Sequence, residues 1–373
     1  MHAPLPEEER LALLALHFVP GLGNFTIRQL VSYCGSAARA FKTPKGKLLK
    51  IPGIGTKTAE AVVNGKPFAK AEQEWKKAAQ KNVRLVFYTD KDYPSRLKEI
   101  PDAPSLLYIK GNVDFENPKT VGIVGTRKAT AYGKDRVDEL VEGLVPHGAL
   151  IVSGLAYGID VHAHKAALRN GLATIAVLGS GVDVIYPSAH RDTAGKMEER
   201  GGLVSENPLG TPPDAHHFPE RNRIIAGLCD ALVVVEAAAT GGALITAELA
   251  NGYGRDVFAF PGSIGIPTSE GCNNLIKTNR AHLITSVKDI EYIMSWTAET
   301  GRKKSKAAVR DTSALGDEER SIINVLRSKS PIALDELSWR TSIPVSRLAG
   351  LLLSLEFASW VKALPGKQYA LME

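Results

Sequence analysis

Short, almost unbroken apolar runs punctuate the middle of the chain at 121–124, 149–152 (ALIV), 173–178 (ATIAVL), 202–204 (GLV), 231–235 (ALVVV) and 257–260 (VFAF). RLVFY at 84–88 precedes them, followed by a proline-punctuated connector, 89–111, that ends in another short strand. Runs of this length, rich in Val and Ile, read as strands buried on both faces, because a half-buried strand would alternate apolar with polar. Longer stretches with helical spacing separate most of them, at 131–145, 160–170, 190–200, 220–228 and 243–253. This alternation predicts a doubly wound α/β core with a parallel sheet over residues 83–294. Ligands of such sheets bind at the carboxyl ends of the strands.

The two ends of the chain follow other patterns. Residues 1–82 read as a small all-α domain with an internal near-repeat: Pro20-Gly21-Leu22-Gly23 before FTIRQLVSYC, and Pro52-Gly53-Ile54-Gly55 before TKTAEAVVNG. Each copy is a glycine-rich turn between short helices, similar to the helix-hairpin-helix (SAM-like) family, whose turn presents backbone N–H groups to a DNA phosphate. The second copy, with Gly53, Gly55 and Lys57, is the better match and supplies candidate accessory DNA contacts; a docking role for these hairpins is equally open. Residues 295–316 are polar and basic and read as a flexible linker. Residues 317–373 predict a winged-helix domain, with helices at 333–340 and 344–356 and a hairpin over 359–371. Its second helix carries one cation, Arg347, on a leucine-rich body, which favours a protein-binding or weak DNA role.

Composition narrows the class. A chain of 373 residues exceeds one hydrophobic core and implies two or three domains. With 44% apolar residues and no apolar run of about eighteen, a membrane span is not expected. The acidic opening MHAPLPEEER does not resemble a signal peptide. Cys34, Cys229 and Cys272 are widely spaced, so a reducing, cytoplasmic setting without disulfides or a zinc site is expected. The net charge of +6 is unevenly spread. Eighteen Lys and Arg face ten Asp and Glu in 1–110, sixteen face twenty-one in 111–294, and twelve face nine in 295–373. Any anion site in the acidic middle must therefore be a local cluster.

Such a cluster is legible at the strand ends. VGIVGTRKATAYG (121–133) runs from a strand into Gly125, Thr126, Arg127 and Lys128 just before a helix. A glycine, a hydroxyl, cations and a helix N-terminus are the ingredients of a phosphate loop; an ordinary strand-to-helix turn with a solvated Arg-Lys pair has the same ingredients. It is not the dinucleotide fingerprint, because Arg127 and Thr130 stand where the second and third glycines belong. Ser153-Gly154, Gly179-Ser180-Gly181 and Thr240-Gly241-Gly242 end other strands, and Phe218, Arg221, Asn222 and Arg223 crowd one turn. His162 and His164 point to different helix faces, and His216-His217 lacks acidic companions, so no metal site is expected. Glu236 and Glu248 leave room for a second reading, a nucleotide-binding hydrolase of the lysine-decarboxylase-like group, although EAAATGGALITAE lacks that group's Pro-Gly-Gly.

The ordered series VGIVGTRKATAYG, IVSGLAYGID, TIAVLGSGVDVIYP, SENPLGTPP, HFPERNRIIAGL, VVVEAAATGGALITAELA and GRDVFAFPG resembles the DprA/Smf family of DNA-processing proteins over nearly all of 83–290. The resemblance implies an extended Rossmann-like core that binds single-stranded DNA without catalysis or cofactor. It further implies a homodimer formed through the late core, delivery of DNA to the RecA recombinase in natural transformation, and single-strand-binding protein as a further partner. Mapped onto this sequence, Gly125, Thr126, Arg127 and Lys128 hold a phosphate, with Arg127 the main charge, supported by Ser153, Gly154, Thr240, Gly241 and Gly242. Phe218 stacks on a base, or else plugs the core beneath its loop. Arg221 and Arg223 reach for DNA or pair internally with Glu220 or Asp230, at least one of them being structural. Asn222 touches DNA or caps the helix that follows. Three departures stand out: His190 in place of Asn, Thr240 in place of Ser, and Thr278-Asn279-Arg280-Ala281 in place of a Gly-Ala ending.

Overall fold

The computed structural model describes residues 5–64, 67–297, 315–328, 330–358, 360–364 and 368–371. The chain forms two compact units, residues 1–299 and 300–373.

The first unit opens with six helices: α1 (Glu7–His17), α2 (Asn24–Cys34), α3 (Ala37–Lys42), α4 (Lys45–Leu48), α5 (Thr56–Val63) and α6 (Pro67–Gln80). Leu13, Leu16, Ile27, Leu30, Leu48 and Val62 are buried between them. The two glycine-rich turns are built alike, with Gly21 at φ 80° and Gly53 at φ 82°, and each leads into its helix through a glycine N-cap. They also face each other's helices. The Cβ position of Gly21 lies 3.2 Å from Thr58 Oγ1 in α5, and that of Gly53 lies 4.0 Å from Thr26 Oγ1 in α2.

A nine-stranded sheet follows: β1 (Val83–Phe87), β2 (Leu106–Gly111), β3 (Thr120–Val124), β4 (Leu150–Ser153), β5 (Thr174–Val177), β6 (Gly201–Ser205), β7 (Ala231–Val234), β8 (Asp256–Ala259) and β9 (His282–Leu283). Its order is β1-β2-β6-β5-β4-β3-β7-β8-β9. Pairings from β6 across to β9 are parallel, whereas β1–β2 and β2–β6 are antiparallel. The expected parallel sheet is thus extended by an antiparallel edge. The stretch linking β1 and β2 holds only α7 (Ser95–Lys98). The remaining helices are α8 (Ala131–Leu144), α9 (Ile159–Arg169), α10 (Arg191–Glu199), α11 (His217–Leu228), α12 (Gly242–Gly252), α13 (Glu270–Lys277) and α14 (Val287–Ile293). Two apolar layers flank the sheet, one including Val152, Val177, Ile224, Val234 and Ala247, the other including Ile123, Ile151, Val137, Leu140 and Ala163. The chain leaves β3 for β4 on one side and returns to pair β7 with β3 on the other, which makes the end of β3 a topological switch point.

The helical segment is fastened to the sheet by polar contacts as well as apolar ones. Arg10 donates to Asp90 Oδ1 (2.7 Å) and to the Leu85 carbonyl (2.8 Å), with its guanidinium 5.0 Å from the Phe87 ring centre. Asn24 accepts from Ser105 and donates to Glu206. The first hairpin is therefore spent on docking. In the second, Gly53, Gly55 and Lys57 are exposed, and Lys57 has no ion-pair partner among the described residues.

The second unit holds α15 (Asp317–Ser328), α16 (Leu334–Thr341) and α17 (Val345–Phe357), with β10 (Ile332–Ala333), β11 (Val361–Leu364) and β12 (Gln368–Leu371) in the order β10-β12-β11. Ile322, Leu337, Leu348, Leu352 and Val361 form its core, and the arrangement is a winged helix. Arg347 of α17 is held by Glu318 of α15 at 2.8 Å, so the one cation read on this helix is already paired. Most of the stretch read as a linker, 298–314, lies outside the described residues.

Two predictions follow from this packing. Arg10→Ala should cost about 2 kcal/mol, at the low end for a broken pair because Arg10 is partly exposed while Asp90 is buried, and urea unfolding would measure it. The second concerns acid. Burial holds the His17 ring down to a pKa of about 4. Burial, with Arg221 and His190 nearby, holds His164 down to about 3. In the unfolded chain both take up protons near pH 6.5. Their contribution to stability is therefore complete above about pH 6.5 and is lost as pH falls toward those values, at about 1.4 kcal/mol per pH unit for each. Urea midpoints at about pH 7 and pH 5 should differ clearly, and less so in His17→Gln; equal midpoints in the native protein would contradict it.

Candidate nucleic-acid interface

At the switch point the loop Gly125–Lys128 leaves β3 and is tied down by its own neighbours. Thr126 N–H donates to the Glu236 carbonyl (2.7 Å), and Lys128 N–H donates to Thr126 Oγ1 (3.1 Å). The start of α8 is also occupied. Glu236, 3% exposed at the end of β7, accepts from Thr130 N–H (2.9 Å) and Thr130 Oγ1 (2.8 Å). A side chain at Gly133 would overlap its carboxylate, so glycine is needed where the two approach. A helix N-terminus favours an anion, and here the protein supplies its own. For the phosphate expected on Gly125–Lys128, the exposed groups in this loop are the side chains of Arg127 and Lys128, and neither has a carboxylate partner among the described residues.

Arg127 borders a cleft of about 760 Å³. Its guanidinium lies 5.7 Å from the centre of the Phe218 ring, and that ring lies 5.9 Å from the exposed Tyr186 ring. Phe218 is half-buried, so it is neither a core plug nor wholly free. Tyr186 was missed by sequence reasoning; its position five residues after Gly181, in the loop that follows the third glycine-bearing strand end, was the available signal.

The opposite wall is Thr240-Gly241-Gly242, all exposed, leading into α12. Its N-cap, Gly241, offers no side-chain acceptor, so in contrast to α8 this helix start faces the cleft uncapped. Asn222 fixes it in place. α11 begins at His217, earlier than expected, so Asn222 lies inside the helix and cannot cap it; its Nδ2 donates instead to the Gly242 carbonyl (3.3 Å).

Arg221 forms the floor. It is buried, donates through Nη1 to the Val177 carbonyl at the end of β5, and lies 3.9 Å from Asp160. Gly154 is required here, because a side chain would overlap the guanidinium. Burial raises the Asp160 pKa, an effect opposed by Arg221 and by N–H donors of Ala156 and Gly154. Arg221 Nε is buried without an acceptor among the described residues, leaving donor capacity in the floor. Ser153 is fully buried and donates to the Ile123 carbonyl (2.6 Å), which makes it a strut between β3 and β4.

Arg223 does not join the cleft. It pairs with Glu206 (2.5 Å) and donates to the Asp102 carbonyl. The pairing partners expected for the two arginines, Glu220 and Asp230, are not the ones used, and Asp230 is taken by Arg96 (2.7 Å). The departures are absorbed locally. His190 Nδ1 holds the Leu155 carbonyl (2.8 Å), Asn279 adopts φ 55°, which asparagine tolerates, and Arg280 pairs with Glu248 (3.2 Å). Glu236 and Glu248, the carboxylates that left a hydrolase open, do not line the cleft. Among the described residues no group of His, Cys, Asp and Glu could hold a metal, and no helix is long and apolar enough to cross a membrane.

Comparison with known proteins agrees with this architecture. Residues 84–295 match the family model described as DNA recombination-mediator protein A, and residues 306–367 match the DprA winged helix domain. Protein Smf of Synechocystis sp. is 33% identical over 98% of this chain and 99% of its own length. The X-ray structure of DNA processing protein A from Streptococcus pneumoniae superposes with a TM-score of 0.67 at 37% identity, covering 78% of this chain and 98% of that one. A DNA processing protein A from Helicobacter pylori, described for its single-stranded DNA binding mode, gives 0.52 at 27% identity over 58% and 97% of the two chains. The chain belongs to the DprA/Smf family of DNA-processing proteins.

Proposed function

We propose that the cleft binds single-stranded DNA without cleaving it, and that the protein shelters incoming DNA and loads it onto the RecA recombinase in transformation and recombination. One observation carries the reading: an exposed arginine without a carboxylate partner lies over an accessible aromatic ring, opposite an uncapped helix start. The guanidinium and the helix start suit consecutive phosphates, and the Phe218 and Tyr186 rings suit unpaired bases. A duplex hides the base faces that those rings would use. The DNA contacts in this reading are Arg127, Lys128, Phe218, Thr240, Gly241 and Gly242, with Arg221 from below. Gly125, Thr126, Ser153, Gly154 and Asn222 position them, and Arg223 braces the helical segment. Gly53, Gly55 and Lys57 remain accessory candidates. For the homodimer, the exposed Ile264 (99%) and Ile266 beside the late core provide an apolar surface.

Fluorescence anisotropy with oligo-dT over a salt series tests this. Tight binding that weakens steeply with salt is expected, with much weaker binding to duplex of equal length; equal affinities would overturn the single-strand reading. Arg127→Ala should weaken binding about 10- to 100-fold without lowering the melting temperature. Phe218→Ala should cost about 1–3 kcal/mol of binding, whereas Arg223→Ala should lower stability and leave the salt slope unchanged. An unaltered isotherm for Arg127→Ala would remove the cleft from consideration, and release of free base from a nucleoside monophosphate would favour the hydrolase.

A further inference from the structure

Arg127 is the wall between two hollows. Behind it, away from Phe218, lies a second recess of about 560 Å³ whose lining includes Arg127, Lys128, Lys134, Lys165, His162 and Tyr157. Lys128 comes from the β3 loop, Lys134 from the first turn of α8, and Lys165 from the second turn of α9, so three separate elements bring cations to one place. None of these lysines has an ion-pair partner among the described residues, and no carboxylate lines the recess. Asp138 on α8, which reaches His162 of the recess (2.9 Å), is shared with Arg169 (2.6 Å). Tyr157, half exposed, stands edge-on to His190 at 5.0 Å and presents a ring to the recess.

This concentration is unexpected in a segment, 111–294, with more acidic than basic residues. Unpaired lysines repel one another, and a cluster without acids persists at low cost only if it faces water or an anion. Several other positive groups of the core are paired, among them Arg96 with Asp230, Arg223 with Glu206 and Arg255 with Glu99. The recess repeats the composition of the first cleft, cations beside an aromatic ring, and shares Arg127 with it.

We propose that this recess is a second seat for the same DNA strand. Resting on the reading of the cleft given above, a strand leaving the Phe218 seat crosses the Arg127 ridge and lays its next phosphates against Lys134 and Lys165, with Tyr157 available to a base. Arg127 then sits at the centre of the path, and the ligand is a phosphodiester chain longer than the first cleft alone can hold.

Salt-dependent anisotropy on the full chain, with oligo-dT of about 4 and about 16 nucleotides, tests the path. In Lys134→Ala/Lys165→Ala the salt slope for the longer strand should fall by about 1.4, from two lost contacts at about 0.7 each, while binding of the shorter strand stays as in the native protein. Lys134→Arg/Lys165→Arg should restore the slope. If the double alanine variant keeps the native slope while Arg127→Ala abolishes binding, the second seat is wrong and the cleft reading stands. If short and long strands weaken by the same factor, the lysines act only as a general field, and the second seat is again wrong. If Arg127→Ala binds both strands like the native protein, the cleft reading itself fails, and the second seat with it.

Discussion

The Glu236 carboxylate at the start of α8 determines what the rest of the site can be. In a doubly wound fold the helix after the first parallel strand is the usual anion seat, since its unpaired N–H groups converge on the switch point. Here Glu236 reaches across from β7, takes the N–H and hydroxyl of Thr130, and is buried there. A dinucleotide pyrophosphate would have to displace a charge that is already well solvated by the protein. The same contact pulls the loop after β3 into a fixed shape, through Thr126 N–H to the Glu236 carbonyl, and turns Arg127 outward. In the function proposed, ligand charge is met at the rim, by Arg127 and the uncapped α12, instead of in the crevice.

Beneath that rim, the cleft floor is a charged layer that the fold keeps buried. Arg221 is buried against the end of β5 and opposes Asp160, while His164 sits near enough to feel the guanidinium and remains neutral. An uncompensated guanidinium there would be costly, and removing either partner of such a pair usually costs more than the pair contributes. The arrangement places positive charge under the cleft without exposing a flexible side chain. It also makes the floor the part of the site that is most dependent on an intact fold.

Much of the architecture was legible in sequence. The apolar runs mark β3 to β8 to within a residue or so, because strands buried on both faces leave an unbroken apolar signal, and the helices between them carry their own period. Antiparallel pairing of β1 and β2 at the edge was not legible, since a run of apolar residues carries no direction. The two-residue β9 was too short to register. Within the site, residue types were legible and roles were not. Glu236 holds Thr130, the N-cap of α8, 106 residues earlier in the chain, and Arg223 pairs with Glu206 after β6, neither the Glu220 nor the Asp230 that its spacing offered. Such pairings follow from which strand ends meet in space, and sequence spacing does not encode them. Ser153 read as a ligand contact but is a strut, because a hydroxyl at a strand end serves either purpose.

In the function proposed, the phosphate is held at the start of α12 in place of α8. A crystal structure with a bound oligo-dT tests it most directly. A phosphate oxygen within about 3 Å of the Gly242 or Ala243 N–H and of the Arg127 guanidinium, with Glu236 still on Thr130, is the expected result. A phosphate seated on the first turn of α8, with the Glu236 carboxylate displaced, would contradict it.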